Sequence, residues 1–404
     1  MRSLWSNRDA EAMVVHYGAA GVSRDLALRV YTSRLLGGDP SLVLHGGGNT
    51  SVKTEAADLV GDPAEVLCVK GSGWDMAAIE PAGLPAVRLA PLRKLRQREA
   101  LSDEDMVRAQ RANLLDPGAP NPSVETLLHA FLPHKFIDHT HATAVLSLAD
   151  QPDAAARCAD LYDGRLGLVP YIMPGFLLAK KAAEIFDEDE AVEGLVLLKH
   201  GIFTFGDSAE EAYERMIAAV TLAEERLQRG RRNVFAGATL PPTLATVQQV
   251  APILRGACAL PDAAVPGAYK RFVLDFRGGP AVIDFVSGAE VERYGMSGVA
   301  TPDHTIRTKN YPLIVPPPEA GKLDDFASAA RAAVERFVAE YHAYFARNNA
   351  EVGGIKRELD PMPRVILVPG LGLFGLGRSA KDAAVAADLA ESWIQTVTDA
   401  EAVG

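Results

Sequence analysis

Two histidines lie one residue apart in the stretch FIDHTHATAVL, residues 136–146, inside an otherwise apolar, β-prone run. Because a strand alternates its side chains between two faces, His139 and His141 would point the same way and could converge on one cation. The pair would also fit a half-exposed strand that turns its polar residues toward water. A divalent-metal site needs three or four ligands, and this stretch offers only two.

A third histidine, His200, ends another apolar run, GLVLLKH, directly before a glycine. At a strand terminus beside a small residue, its side chain could enter a site whose other walls are strands. Three histidines with an open coordination position are typical of a catalytic zinc rather than a structural one. The cysteines are too few and too widely spaced for a disulfide framework or a Cys-rich zinc site, which leaves histidine and carboxylate as metal ligands.

Glu125 is the carboxylate best placed for acid–base chemistry, because PSVETLLHAFLPH predicts that it lies just inside a helix start, ahead of the first histidine strand. His129, four residues on, would share its helix face. The alternative interpretation is that Glu125 merely suits the dipole at a helix N-terminus. The other histidines are interpreted mostly as surface or packing residues, namely His16, His45, His129, His134, His304 and His342.

Two glycine-rich segments indicate an anion-binding site. In HGGGNTSVK, backbone N–H groups can approach a ligand closely, and Asn49, Thr50 and Ser51 add further donors. KGSG offers the same kind of loop, with Lys70 nearby. The alternative for each is an ordinary hairpin turn.

A third glycine pattern, G-x-G-x-x-G at Gly370, Gly372 and Gly375, follows a predicted strand in VILVPGLGLFGLG. A dinucleotide fold would need a βαβαβ series behind it, and too little chain follows. The position some twenty residues on, where an acidic ribose ligand is required, is Ala390 with Glu391 beside it. NAD binding is therefore not expected.

The composition is that of a globular protein, with 48% hydrophobic and 23% charged residues. A net charge of −11 without a basic stripe argues against a nucleic-acid partner. No apolar run reaches the roughly eighteen residues of a membrane span, and the first residues have no apolar signal region. We therefore expect a cytoplasmic protein with no membrane partner.

The elements that must position these residues follow from the apolar pattern. Residues 8–37 are predicted to be mostly helix, and SLVLHGGGNTSVK a strand, a tight turn and a second strand. Ser208 and Glu211 form a capping box that opens a long amphipathic helix. Strands are predicted at EVLCVKGSG, KFIDHTHATAVLSLA, LGLVPYIMPG and GLVLLKHGIFTFG, the last as a hairpin or bent strand.

The length of 404 residues favours two domains. The first is predicted over residues 1–235, and FAGATLPPTLATV resembles a linker. The second, residues 236–404, is predicted to be α/β, with a helix over about residues 322–346. Its strands are predicted around KRFVLDF, PLIVPP and PRVILVPG.

The ordered motifs GGGNTSVK, KGSG, PSVETLLH, DHTHA, VPYIMPG and KHGIFTFG resemble the class II aldolase/adducin superfamily over roughly residues 20–230. The rest, including TPDHTIRTK and PRVILVPGLGLFGLG, is similar to the aldolase part of bifunctional L-rhamnulose-1-phosphate aldolase/short-chain dehydrogenase proteins. The resemblance implies a three-layer α/β/α domain with a central, mainly antiparallel sheet and a C-terminal α/β region. The chain is then expected to be a stand-alone aldolase part without the dehydrogenase half.

The resemblance also implies that His139, His141 and His200 ligate a divalent cation, usually zinc, and that Glu125 is the acid/base residue. Tyr171 matches a tyrosine that reaches an active site across a subunit boundary, so a homo-oligomer, with a tetramer favoured, is expected to share its sites. The resemblance and the glycine segments together give five candidates for binding a substrate phosphate. They are Asn49, Thr50, Gly71, Ser72 and Ser123.

The expected function is metal-dependent retro-aldol cleavage of a ketose 1-phosphate, of the rhamnulose-1-phosphate kind, to dihydroxyacetone phosphate and an aldehyde. One alternative uses the same metal for aldol cleavage of an unphosphorylated oxo acid or aryl substrate, for epimerisation or for decarboxylation. Another is a non-catalytic, adducin-like interaction module. Two departures from the family pattern put the phosphate in doubt, since Val124 follows Ser123 where a second serine is common and KGSG replaces Thr-Pro-Ser-Gly.

The task of residues 236–404 is open at this point. They could complete the pocket, enlarge a subunit contact or be structural. The residues that could contribute to the pocket are Asp303, His304 and Lys309.

Overall fold

A computed structural model of the chain describes residues 1–232, 234–262 and 264–404, apart from the side chain of residue 303. The chain forms two compact units. The first comprises residues 1–231 with 403–404, and the second comprises residues 232–402.

The first unit is built around a seven-stranded sheet. Its strands are β1 (Asn49–Ala57), β2 (Pro63–Val69), β3 (Ala86–Arg88), β4 (Phe136–Thr140), β5 (Leu166–Val169), β6 (Gly194–Leu197) and β7 (Gly201–Gly206). Their order across the sheet is β3-β2-β1-β4-β7-β6-β5. All neighbours run antiparallel except β5 and β6, which are parallel, so the predicted, mainly antiparallel sheet is confirmed.

Helices cover both faces of this sheet. They are α1 (Asn7–Gly18), α2 (Arg24–Gly37), α3 (Leu89–Leu95), α4 (Asp103–Ala112), α5 (Thr126–Phe131), α6 (Thr143–Ala149), α7 (Ala154–Tyr162), α8 (Phe176–Glu188) and α9 (Ala209–Gln228). Leu195 and Phe203 pack with α3, α5 and α8, whereas Val196 and Ile202 pack with α6, α7 and α9. This alternation along β6 and β7 places one helical layer on each face, which confirms the three-layer architecture.

Three predicted elements differ from the observed ones. The helix predicted over residues 8–37 is two helices, because Ser23 caps a new helix start. SLVL, residues 41–44, forms a turn rather than a strand. The strand predicted through residue 149 ends at residue 140, and the apolar run behind it forms α6, since a short apolar run fits a buried strand and a buried helix equally well.

The start of α9 agrees with the prediction in one half of its capping box. The Ser208 side chain accepts a hydrogen bond from the backbone N–H of Glu211 at 3.1 Å. The Glu211 carboxylate reaches back to the N–H of Asp207, at 2.7 Å, instead of that of Ser208. The Ser208 side chain thereby satisfies one of the four free N–H groups at this helix end.

The second unit contains a four-stranded sheet of order β10-β13-β12-β11 and a two-stranded one formed by β8 and β9. The strands are β8 (Leu260–Pro261), β9 (Tyr269–Lys270), β10 (Val273–Arg277), β11 (Leu313–Ile314), β12 (Val365–Val368) and β13 (Gly372–Gly377). The helices are α10 (Val247–Ala257), α11 (Pro280–Val286), α12 (Val291–Tyr294), α13 (Pro302–Thr308), α14 (Leu323–Glu351) and α15 (Ala380–Val403). Among the described residues, no helix combines the length and low charge of a membrane span.

The G-x-G-x-x-G run forms an antiparallel hairpin between β12 and β13 instead of a loop that leads into a helix. Gly370 lies in its turn with φ +77°. A Cβ on Gly375 would lie 2.4 Å from the carbonyl oxygen of Ala383 and 2.6 Å from the nitrogen of Ala387. Gly370 therefore serves the turn, and Gly375 allows α15 to pack directly against β13.

Candidate functional site

The three histidines predicted to bind a metal lie together at one edge of the first unit. His139 belongs to β4, His141 lies just beyond the end of that strand, and His200 lies in the turn between β6 and β7. One ring nitrogen from each lies within 4.8 Å of the others. His139 and His141 were predicted to lie on one face of one strand. In the structure β4 ends at Thr140, and the two rings meet although His141 lies beyond the strand.

His139 is oriented by a backbone carbonyl. Its Nδ1 lies 3.0 Å from the Ile202 oxygen, and since a carbonyl only accepts, Nδ1 carries the proton and Nε2 presents a lone pair. The ring is fully buried and stacks on Phe203 with centroids 4.1 Å apart. Burial lowers the pKa of His139 well below its ordinary value, which favours the neutral form that ligates metals.

The spacing of the ring nitrogens suits a bound cation. Nε2 of His141 lies 3.1 Å from Nε2 of His139. Tetrahedral zinc with Zn–N bonds near 2.0–2.1 Å would separate its ligand nitrogens by about 3.3 Å. A buried ligand histidine whose other nitrogen donates to a carbonyl is also the usual outer arrangement of zinc sites. The residues present therefore fit a divalent cation held by three imidazoles.

The glycine after His200 is required by the close approach of the other two rings. A Cβ on Gly201 would lie 2.5 Å from the Thr140 oxygen and 3.0 Å from atoms of both the His139 and His141 rings. Any larger residue would push the strands or the imidazoles apart. The HG pair in the sequence thus reflects the packing of the site.

Glu125 faces the histidines from the start of α5. It is the N-cap of this helix, whereas it was predicted to lie just inside the helix start, and it is 7% exposed. Its Oε1 lies 3.2 Å from Nε2 of His200, and its Oε2 lies 3.3 Å from Nε2 of His139. A carboxylate at these distances can serve as a further metal ligand or move a proton at a bound substrate.

Behind Glu125 lies a buried polar chain that the sequence argument missed. Nδ2 of Asn49 donates to Oε2 of Glu125 at 2.6 Å, and Oδ1 of Asn49 contacts Nε2 of His129. Nδ1 of His129 lies 2.7 Å from the Ser51 hydroxyl. His129 was interpreted as a surface or packing residue, although its spacing of four from Glu125 was visible in PSVETLLH.

Of the predicted phosphate ligands, Thr50 is placed away from the others. Its side chain is fully buried on the opposite face of β1, where its hydroxyl lies 2.7 Å from that of Ser33 on α2. Asn49 and Ser51 alternate with it and face His129. The structure therefore does not bring the Thr50 hydroxyl to the side of Asn49 that faces Glu125, because the segment is a strand from residue 49 onward and not a loop.

The other phosphate candidates lie on three adjacent segments. The N–H of Ser72 donates to Asn121, and the N–H of Ser123 donates to Lys70, at 2.8 and 3.1 Å. Nδ2 of Asn49 lies 3.2 Å from the Ser123 hydroxyl. The structure thus brings Gly71, Ser72, Ser123 and Asn49 to one side of Glu125, with Ser72 exposed.

Lys70 connects the two glycine segments. Its side chain is 4% exposed, and its Nζ donates to the carbonyl oxygen of Gly46 at 2.9 Å. Burial and the neighbouring His200 are the larger causes of the lowered pKa of His139, and the positive charge of Lys70 lowers it further. A cation at this place adds to the electrostatic field that an anionic substrate would meet.

Tyr171 lies in the segment after β5 with half of its surface exposed, at 50%. Met173 and Leu177 nearby are also exposed, at 73% and 58%. In one chain this tyrosine is presented to solvent, so its contribution to a neighbouring subunit's site stays a prediction.

The candidates from the second unit have partners within that unit. Nδ1 of His304 lies 2.6 Å from the Thr301 hydroxyl, and burial lowers the pKa of His304 to about 4. Nζ of Lys309 donates to the Asp360 carbonyl at 2.5 Å. The side chain of Asp303 lies outside the described residues.

Comparisons with known proteins place both units in one family. Residues 27–227 match the class II aldolase and adducin N-terminal domain, and residues 245–404 match the second domain of class II aldolases. The chain is 33% identical over 394 residues to an uncharacterized oxidoreductase, YuxG, of Bacillus subtilis. The match covers 96% of this chain and 56% of that protein, so the chain spans little more than half of the curated relative.

Two solved structures are also similar. The N-terminal class II aldolase domain of a conserved protein from Thermoplasma acidophilum is 43% identical, covering 50% of this chain and 94% of that one with a TM-score of 0.48. L-fuculose-1-phosphate aldolase from Thermus thermophilus is 19% identical, covering 49% and 94% with a TM-score of 0.33. The chain belongs to the class II aldolase/adducin superfamily.

Proposed function

We propose that this chain is a metal-dependent aldehyde-lyase that cleaves a ketose 1-phosphate into dihydroxyacetone phosphate and an aldehyde. The observation that carries the proposal is that the Glu125 carboxylate lies 3.2–3.3 Å from the Nε2 atoms of His200 and His139. An acid–base group and a set of metal ligands thereby share one nearly buried site. A non-catalytic adducin-like module would need neither.

The proposed reaction divides into tasks for named residues. A divalent cation held by the three histidines, most simply zinc, would supply Lewis-acid polarisation of the substrate's carbonyl group. As the carbon–carbon bond breaks, the hydroxyl that becomes the aldehyde gives up its proton, for which Tyr171 of a neighbouring subunit is the proposed acceptor. Glu125 then delivers a proton that it has taken up from solvent to the carbon of the retained three-carbon fragment, and Tyr171 returns its proton to solvent before the next turnover.

The test is a retro-aldol screen with metal content measured on the same samples. Metal-loaded protein is incubated with a panel of ketose 1-phosphates, and dihydroxyacetone phosphate is detected by coupled reduction. His139→Ala should lose bound metal and cleavage together. Glu125→Gln should keep the metal, while exchange of solvent protons into dihydroxyacetone phosphate slows by about 100-fold or more, as for loss of a general acid–base group.

One control variant and one variant of Tyr171 complete this screen. His134→Ala removes an imidazole that stacks on Phe205 outside the site, and it should leave metal content and rate unchanged. Tyr171→Phe should lower the rate without changing metal content or subunit number. Full turnover by a metal-free Glu125→Gln protein would eliminate the proposed scheme.

A second candidate, cleavage of an unphosphorylated oxo acid by the same site, is favoured by one observation. The Thr50 hydroxyl faces the core, and the half-exposed Val124 stands where a second serine is common in the family, so one predicted hydroxyl donor for a phosphate is turned away and one donor of the family pattern is absent. Lys70 could instead meet a carboxylate. Release of a 2-oxo acid rather than dihydroxyacetone phosphate in the same screen would select this candidate.

We assign the oxidoreductase activity in the name of the Bacillus subtilis relative to the part of that protein which this chain does not span. The hairpin formed by β12 and β13, where the sequence carries G-x-G-x-x-G, supports this assignment. The chain alone should neither oxidise NADH nor reduce NAD with the same sugars, as followed by the NADH absorbance at 340 nm. A steady change proportional to protein would overturn the assignment.

A further inference from the structure

We propose that His129 is a positioning residue that acts through Asn49 on the carboxylate of Glu125. Asn49 then holds that carboxylate. It does not bind a substrate phosphate, which was the role predicted for it from the sequence. The inference rests on the proposed function for its kinetic consequences, but the hydrogen-bond chain itself is independent of the substrate.

The direction of the chain follows from the carboxylate. The NH2 group of Asn49 lies 2.6 Å from Oε2 of Glu125 and donates to it, because an amide nitrogen is a donor only. The second hydrogen of this amide points to the Ser123 hydroxyl, 3.2 Å away. Both donors of Asn49 are therefore in use, and none is left for a phosphate oxygen.

The other end of the amide fixes the state of His129. Oδ1 of Asn49 only accepts, so the Nε2 atom of His129 that contacts it must carry a proton. In a neutral imidazole Nδ1 is then an acceptor, and the Ser51 hydroxyl, 2.7 Å away, donates to it. His129 is fully buried, in line with a neutral ring, and its edge packs on Phe203 with centroids 5.4 Å apart.

The chain thus runs in one direction from Ser51 through His129 and Asn49 to Glu125. Without the donor of His129, the Asn49 amide is free to turn over, which would set its oxygen against the carboxylate oxygen. Glu125 would then lose a short hydrogen bond and its fixed position between the Nε2 atoms of His139 and His200. Residues that orient a site group in this way typically contribute about 10- to 100-fold in activity.

Three variants test the kinetic side of the proposal. His129→Phe should lower kcat by about 10- to 100-fold with KM and bound metal unchanged. His129→Gln, whose amide can again donate to Asn49, should recover most of that loss. His134→Phe is the matched control, because it removes another imidazole packed on a phenylalanine of the same sheet without touching Asn49.

A readout without turnover tests the hydrogen-bond chain directly. In ¹⁵N spectra of histidine-labelled protein, the signals that are present in the wild type and absent in His129→Phe belong to His129. In the wild type they should show the neutral Nε2–H tautomer. In Asn49→Leu, which removes the acceptor, the tautomer should no longer be fixed. These spectra decide the chain even if His129→Phe does not fold, since His129→Gln lacks the same imidazole signals and assigns them equally well.

The outcomes separate the two proposals. A wild-type protein that cleaves no ketose 1-phosphate refutes the proposed function and leaves the nitrogen spectra to decide the hydrogen-bond chain. An Nδ1–H tautomer at His129 overturns the chain. A His129→Phe variant whose KM rises at constant kcat also overturns it, since that pattern would mean that Asn49 binds substrate. An equal loss of kcat in His134→Phe overturns it as well.

Discussion

Replacing Arg29 with methionine should destabilise the first unit by about 3–5 kcal/mol, the usual cost of leaving one partner of a buried ion pair alone. Arg29 on α2 pairs with Asp138 on β4, and both side chains are 0% exposed. Asp138 directly precedes His139, so this pair lies behind the candidate metal site. Its loss leaves a carboxylate in the core with no counter-charge.

The loss of stability in Arg29→Met also includes two hydrogen bonds to the backbone. Nη1 of Arg29 donates to the carbonyl oxygens of Ser51 and Ile137 at 3.2 and 3.3 Å, residues that pair across β1 and β4. Each such bond contributes about 0.5–1.5 kcal/mol. The double variant Arg29→Met with Asp138→Leu removes both charges and loses only the backbone part, so it should recover more than half of the cost.

Hydrogen exchange followed peptide by peptide on the full chain is the suitable assay, since peptides from β1 and β4 report the first unit separately from residues 232–402. Measurements in excess chelator exclude stabilisation by bound metal. Arg24→Met is the control on the same helix, because its pair with Glu11 is exposed and its removal should leave stability unchanged. A double variant as unstable as Arg29→Met alone would refute the reasoning.

Three further predictions concern the rest of the chain. Burial lowers the pKa of His304 to about 4, so its neutral form stabilises the fold above pH 6.5 and this contribution is lost as pH falls toward 4. Between pH 7.5 and 5, the free energy of unfolding of the wild type should therefore fall by about 2 kcal/mol more than that of His304→Asn, as measured by urea unfolding. Gly375→Ala should lower Tm because its Cβ meets a backbone oxygen at 2.4 Å, whereas Gly256→Ala, with open space around it in α10, should not. Iodoacetamide at pH 8 should label none of the cysteines before denaturation, because burial raises their pKa values, to about 12 in Cys68 and Cys258 and about 11 in Cys158.

Patterns with a strong local cause were predictable from the sequence. The apolar run GLVLLKHGIFTFG and the serine before α9 gave the right elements, because a short apolar run and a helix cap are signals that act within a few residues. The run after His141 was assigned to a strand although it forms α6, since local apolarity does not distinguish two buried elements.

At the candidate site, the residues that face the centre were easier to find than those behind them. Histidines and a carboxylate in polar-poor segments stand out by type. His129 and Thr50 have roles that depend on which strand or helix lies opposite, at a separation of 17 residues for Thr50 and Ser33 and 80 for His129 and Asn49. Such pairings arise from tertiary packing, which a single sequence does not display.

The three histidines differ in how firmly the chain holds them, and this bears on the kinetics of metal uptake. His139 lies within a strand paired on both sides, to β1 and to β7, and its ring is oriented before any cation arrives. His141 and His200 lie in connecting segments, and His141 is the one of the three with partial exposure to solvent. We therefore expect a cation to meet His141 first and to be captured by His139, while chelators should remove it by the reverse route at a rate set by the opening of the segment after β4.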